Sequence, residues 1–196
     1  LPEPGQFATD FPELNIHDAT KLQTDQQIDL ALRAERAAFA ADSRITNSEG
    51  GECDSSSGRI ILANSHGFVG QYANSSFSLS VSPIASDAAG MQRDYWYGVN
   101  RAFAKLDSPE AIGQEATRRT VRKLGARKVS TCRVPVIFDP EVAGSLLSHL
   151  CSALSGYALY KGASFLIGQL GQQIAPDFVT IYDDGRMPGG LGTRPF

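Results

Sequence analysis

Three histidines and three cysteines are all that the 196 residues offer to metal or thiol chemistry. His17 has no base or metal partner near it in sequence. His66 sits in the turn Asn64-Ser65-His66-Gly67, where the glycine supplies a positive φ. His149 falls in an apolar helical pattern. At 100° per residue it lies beside Val142 and Ala153, on the margin of the apolar face, a place that reads as structural before catalytic. Cys53, Cys132 and Cys151 form no C-x-x-C pair and are odd in number. They read as buried free thiols in a reducing cytoplasm. No H-E-x-x-H, G-x-S-x-G or P-loop is present. Gly189-Gly190-Leu191-Gly192 lacks the flanking strand and helix of a dinucleotide site and reads as loop. Asp183-Asp184 could offer oxygens to a metal, but with Gly185 beside them they read as a turn.

The strongest charge feature is basic. Arg118, Arg119, Arg122, Lys123, Arg127, Lys128 and Arg133 fall within sixteen positions that hold no acid. Such a cluster can bind phosphate or nucleic acid, or it can be a solvated helix face that meets an acidic neighbour. Residues 1–54 carry eleven acids against four bases and could supply that neighbour. Bulk charge gives nucleic-acid binding no support: 18 Lys and Arg against 21 Asp and Glu leave −3. With 42% hydrophobic and 20% charged residues the chain is an ordinary globular one. It has no run of 18 apolar residues, so no transmembrane helix is expected. Leu1-Pro2-Glu3-Pro4-Gly5 lacks the basic and apolar regions of a signal peptide.

The elements that must position these groups divide 1–196, read as one α+β region, into three parts. Residues 1–23 read as an extended opening segment. Residues 24–133 read as helix, β-meander, helix. Thr24 and Gln27 make a capping box for a helix running to about Asp42, with Ile28, Ala31, Leu32, Ala38 and Phe39 as its apolar stripe and Glu35 at the stripe's edge. Phe77-Ser78-Leu79-Ser80-Val81-Ser82 alternates strictly, which puts three serines on one face of a strand and three apolar residues on the other. Residues 91–103 read as the next antiparallel strand. Ser108-Pro109-Glu110 starts a second helix whose inner face is Ile112, Ala116, Thr120, Val121 and Leu124, ended by Gly125. Residues 134–196 read as strand, buried helix, strand and loop. Val134–Phe138 is the first strand, Asp139-Pro140 opens a broadly apolar third helix that ends near Gly156, and 178–182 is the last strand.

Several blocks, in order, resemble the PmbA/TldE family. They are Arg44–Gly51, Asn64–Gly67, Arg93-Asp94-Tyr95, Phe138–Ala143 through Ser155-Gly156, Tyr160–Leu166 and Leu170–Ile174. The resemblance implies an antiparallel meander packed with several helices, the middle portion of a longer TldD/PmbA-type chain. It implies a cytoplasmic, non-catalytic subunit that pairs with a TldD-like partner in a zinc peptidase. That peptidase matures a microcin precursor and degrades unfolded antitoxin-like substrates, and the family is also called a modulator of DNA gyrase. The partner's H-E-x-x-x-H zinc motif aligns with His149-Leu150-Cys151-Ser152-Ala153-Leu154. His149 keeps the first ligand position, Leu150 replaces the general-base glutamate and Leu154 the second histidine. A hydrolytic zinc needs about three protein ligands and a water, so no zinc and no catalytic residue is expected on this chain, and zinc is expected on the partner. The alternatives are a nucleic-acid- or gyrase-associated module using the cluster at 118–133, and a homodimeric scaffold.

Overall fold

The computed structural model describes residues 3–196; Leu1 and Pro2, the start of the expected opening segment, lie outside them. Two units divide the chain. The first runs to Arg127 and includes Asp184–Phe196, and the second is Lys128–Asp183. No helix among the described residues is long and apolar enough to cross a membrane.

The first unit is α+β, and its sheet is organised on one strand. β1 (Ile45–Ala63) and β2 (Val69–Asp87) form a long antiparallel hairpin. Asn64 closes it: its side-chain oxygen accepts from the His66 and Phe68 amides at 3.0 and 3.2 Å. β3 (Gly90–Arg93) pairs with Ile84–Asp87, and β4 (Trp96–Asn100) with Phe77–Val81, both antiparallel to β2. The strand expected over 91–103 is thus split at Asp94-Tyr95. The alternation of β2 is realised as read: Ser75, Phe77, Leu79, Val81, Pro83 and Ala85 are buried, and the serines between them are half-buried. Pro83 cannot donate to a ladder, and its partner Ser48 stands where the β1 register shifts before Gly51.

Two helices cover the sheet. α1 (Thr24–Ala41) packs on β1 and β2, and α2 (Pro109–Val121) on β2 and β4. The capping box of α1 falls one residue earlier than expected: Gln23 is the cap and Gln26 reaches back to its amide at 2.8 Å. Its inner face also differs from the expected stripe. Ala38 is wholly buried as read, and so is Ala34, while Ile28 is 51% exposed and Leu32 and Phe39 also face solvent. The reason is proximity to α2, where only small side chains fit between the two backbones. Glu35 is half-buried at the stripe's edge, as read. Ser108 caps α2 by accepting from the Ala111 amide at 3.2 Å, and Ile112, Ala116 and Thr120 are buried as read. Val121 and Leu124 are only half-buried. Ala34, Leu79, Val81, Ile112 and Ala116 make the core, flanked by Leu30, Cys53, Trp96 and Leu106. Each large member contributes about 1.5–3 kcal/mol by leaving water.

The opening segment is extended and tied down. Leu14 and Ile16 are buried, and Ile16 accepts from the Ser75 amide at 3.0 Å. Asp18 accepts from the Phe103 amide at 2.9 Å, and hydrogen bonds from Thr20 hold its carboxyl below the usual range. The last residues return to the hairpin end, where Phe196 packs on Phe11, Phe68 and Tyr72.

The second unit holds α3 (Pro140–Leu154) and α4 (Gly156–Tyr160), with turns and extended segments around them. Asp139 caps α3 by accepting from the Glu141 amide at 3.1 Å. Neither expected strand forms: Val134–Phe138 and 178–182 have no ladder partner, and Ile137 is 97% exposed. Apolar residues alone do not make a strand when no second strand satisfies the backbone. Nor is α3 buried: Val142, Leu146, Leu147 and Leu154 of its apolar arc are exposed, and no residue of the helix is fully buried. Gly156 does not end it in a left-handed turn. Ser155 leaves the helix in an extended conformation, and its hydroxyl caps α4 by accepting from the Ala158 amide at 3.2 Å.

Candidate functional site

On α3 the three positions of the degenerate zinc motif separate by rotation. His149 is exposed, and its Nδ1–H donates to the Ser145 carbonyl at 2.7 Å, one turn back. Its Nε2 is then the acceptor of the neutral ring. Leu150 and Leu154 are one turn apart on another face. Both line an apolar groove of about 700 Å³ together with Phe165, Ile174, Val179 and Ile181. Asp177 is the carboxylate on this wall, and Gln173 donates to it. Sequence reasoning finds the helix and the three positions. It misses the groove, which comes from the irregular 165–181 segment folding against α3.

The donor set does not fit a hydrolytic zinc. Leu150 and Leu154 have no lone pair to give, and His149 stands about 100° and 140° of helix rotation away from them. Among the described residues no group of three His, Cys, Asp or Glu is placed to hold a metal ion. The expected burial of the thiols is half met at Cys53, where burial pushes the pKa up. Cys132 and Cys151 are exposed.

The basic cluster is shared between the two units. Arg118, Arg119, Arg122, Lys123 and Arg127 belong to the first unit; Lys128 and Arg133 belong to the second. Arg118 makes a two-pronged bond to Glu115 at 2.7 and 2.6 Å, which holds that carboxyl below the usual range. Arg119 lies 4.6 Å over the Trp96 ring. Lys123 reaches Asp94 at 3.0 Å. Partial burial opposes ionisation of Asp94, but the bonds from Lys123 and the Tyr95 amide leave its carboxyl lowered. The acidic neighbours are thus Glu115 and Asp94, not residues 1–54. Those acids of 1–54 that form ion pairs do so elsewhere, Asp29 with Arg33, Glu49 with Arg93 and Asp42 with Arg44, whose bonds bring the Asp42 carboxyl down to about 2. Asp184 serves the turn at Gly185-Arg186, accepting from the Arg186 amide at 3.0 Å.

These features can be set beside known proteins. The profile of the PmbA/TldA metallopeptidase central domain matches residues 17–124, and that of the C-terminal domain matches 131–196. The chain belongs to the PmbA/TldD family. The family chain is 42% identical to the metalloprotease PmbA of Escherichia coli O157:H7, covering 97% of this chain and 42% of that protein. It is 38% identical to a PmbA homologue of Haemophilus influenzae, covering 100% and 44%. It therefore spans less than half the length of the curated relatives it matches. A Bacteroides thetaiotaomicron protein solved as a candidate modulator of DNA gyrase superposes with a TM-score of 0.91 at 30% identity, over 99% of this chain and 45% of that one. TldE of Thermococcus kodakarensis shares the fold, with a TM-score of 0.61 at 19% identity over 83% of this chain and 38% of its own. The α+β architecture of this PmbA/TldD-family chain, an antiparallel sheet with several helices, is the one these neighbours show.

Proposed function

We propose that this chain is part of a non-catalytic, TldE/PmbA-type subunit of a heteromeric, cytoplasmic zinc peptidase. The zinc and its general base sit on a TldD-like partner, and the substrates are peptide precursors and unfolded, antitoxin-like chains. One observation carries the reading. At the positions of the general base and the second ligand, Leu150 and Leu154 line an apolar groove, and His149 is tied to its own helix. Leu150 has no carboxylate with which to take a proton from a water at the general-base position. The groove is suited to apolar side chains of an unfolded peptide or of the partner.

Co-purification with a TldD-like protein tests this. Zinc and cleavage of an unfolded peptide are expected in the complex, and neither in this chain alone. Stoichiometric zinc together with peptidase activity in the isolated chain would overturn the proposal, as would a homodimer that leaves the TldD-like protein unbound.

A second reading is a nucleic-acid- or gyrase-associated module. Arg122 and Arg127 support it, since neither forms an ion pair among the described residues. If it holds, DNA affinity falls steeply with salt and drops again when Arg118, Arg119 and Arg122 become alanine. An absence of binding at low salt removes it.

A further inference from the structure

The first unit contains a second concavity that neither reading uses. It has about 290 Å³, and its lining includes Ile60, Tyr72, Asn74, Arg101, Thr193 and Arg194. Its chemistry is one-sided. Two guanidiniums, a phenol, a carboxamide and a hydroxyl line it, and no carboxylate does. The contrast is with the concavity around Lys123, where Glu49 and Asp94 balance Arg93 and Lys123. In a chain of net charge −3, two arginines without an acid between them form a local positive field.

Arg101 is held in place before any ligand arrives. Its Nη1 donates to the Ser75 carbonyl at 2.9 Å, its Nε to the Gly190 carbonyl at 3.4 Å, and its Nη2 to the Leu191 carbonyl. Its own carbonyl accepts from the buried Ser75 hydroxyl at 2.6 Å. Of the five N–H bonds of a guanidinium, three are used and one remains on each Nη. No carboxylate neutralises this charge or that of Arg194 among the described residues. Arg194 is exposed and can swing onto a ligand. Side-chain bonds of Tyr72 and Asn74 are likewise unformed among the described residues. Planar donor forks of this kind match the oxygens of a carboxylate or a phosphate.

We propose that this concavity binds a small oxyanion, the terminal carboxylate of a peptide or a phosphate group, between Arg101 and Arg194. The site is independent of the groove beside α3, so either can fail without the other. Tyr72 serves twice, since its ring packs on Phe196 at 5.3 Å while its hydroxyl is left for the ligand.

The test is calorimetric titration of the whole chain with three probes. These are inorganic phosphate, a short peptide with a free C-terminal carboxylate, and the same peptide amidated. Binding of the free peptide but not the amidated one assigns the site to carboxylates. Binding of phosphate without either peptide assigns it to phosphate. In both cases Arg194→Gln weakens binding about tenfold or more, the worth of one charge-assisted fork, and leaves the melting temperature unchanged. Asn74→Ala weakens it less and serves as a second probe. No saturable binding of any probe, or equal binding to the parent and Arg194→Gln, overturns the proposal.

Discussion

Gly113→Ala lowers the stability of the first unit by about 1–3 kcal/mol, and Gly113→Leu by more. Helix propensity alone demands the opposite sign, because alanine exceeds glycine in a helix interior by about 0.5–1 kcal/mol. Packing decides the sign. A Cβ on Gly113 would meet the Ala34 carbonyl, and would stand 2.8 Å from the Ala37 Cβ and 2.9 Å from the Ala38 amide nitrogen. Two of those three atoms belong to backbone, so no side chain can swing away. α1 and α2 must separate, and with them Thr117, whose hydroxyl donates to the Ala38 carbonyl at 2.9 Å. Urea unfolding followed by the fluorescence of Trp96, the sole tryptophan, reads this unit alone. A Gly113→Ala variant more stable than the parent would show that the two helices yield, and would refute the account of why α1 buries Ala34 and Ala38.

Leu79→Ala is the second large loss, about 2–5 kcal/mol. Leu79 is wholly buried in the middle of β2, packed with Ala34, Ile112 and Ala116. The rigid sheet on one side and the close helices on the other leave a cavity that cannot collapse. The midpoint of urea unfolding should fall at unchanged slope. A loss under about 1 kcal/mol would mean that the core rearranges to fill the space. The same truncation at Leu154, 54% exposed, should cost far less in this chain.

Local chemistry was legible in the sequence, and tertiary cover was not. The helix starts at Ser108-Pro109 and Asp139-Pro140 are read correctly because cap and N1 proline act within one turn. The alternation of Phe77, Leu79 and Val81 is read correctly because a sheet with one packed face imposes period two. The face of α1 is misread, because bulky Ile28, Leu32 and Phe39 look like core until Gly113 is known to press on Ala34. Val134–Phe138 and 178–182 are misread as strands, because pairing is a property of two segments and the pattern describes one. The burial of α3 is misread for the same reason: an apolar arc says what a helix needs, not what is present to meet it. At the candidate site the sequence gives His149, Leu150 and Leu154 and their angular separation on a helix, but not the groove that Leu150 and Leu154 line. Arg101 carries no signal at all, since its partners at Ser75, Gly190 and Leu191 are backbone carbonyls far away in the chain.

The sheet is a star and not a chain of links. β1, β3 and β4 each bond to β2 and to no other strand among the described residues. During synthesis β1 is made first and can only wait, and its ladder closes when β2 emerges behind the Asn64 turn. That step is local, so the search it requires is short. β3 and β4 then add to a surface that already exists. Dismantling is less forgiving. A peripheral strand can peel off and leave the others paired, but pulling β2 out dissolves every rung at once. Resistance to mechanical extraction and to proteolysis is therefore concentrated in one nineteen-residue stretch, Val69–Asp87.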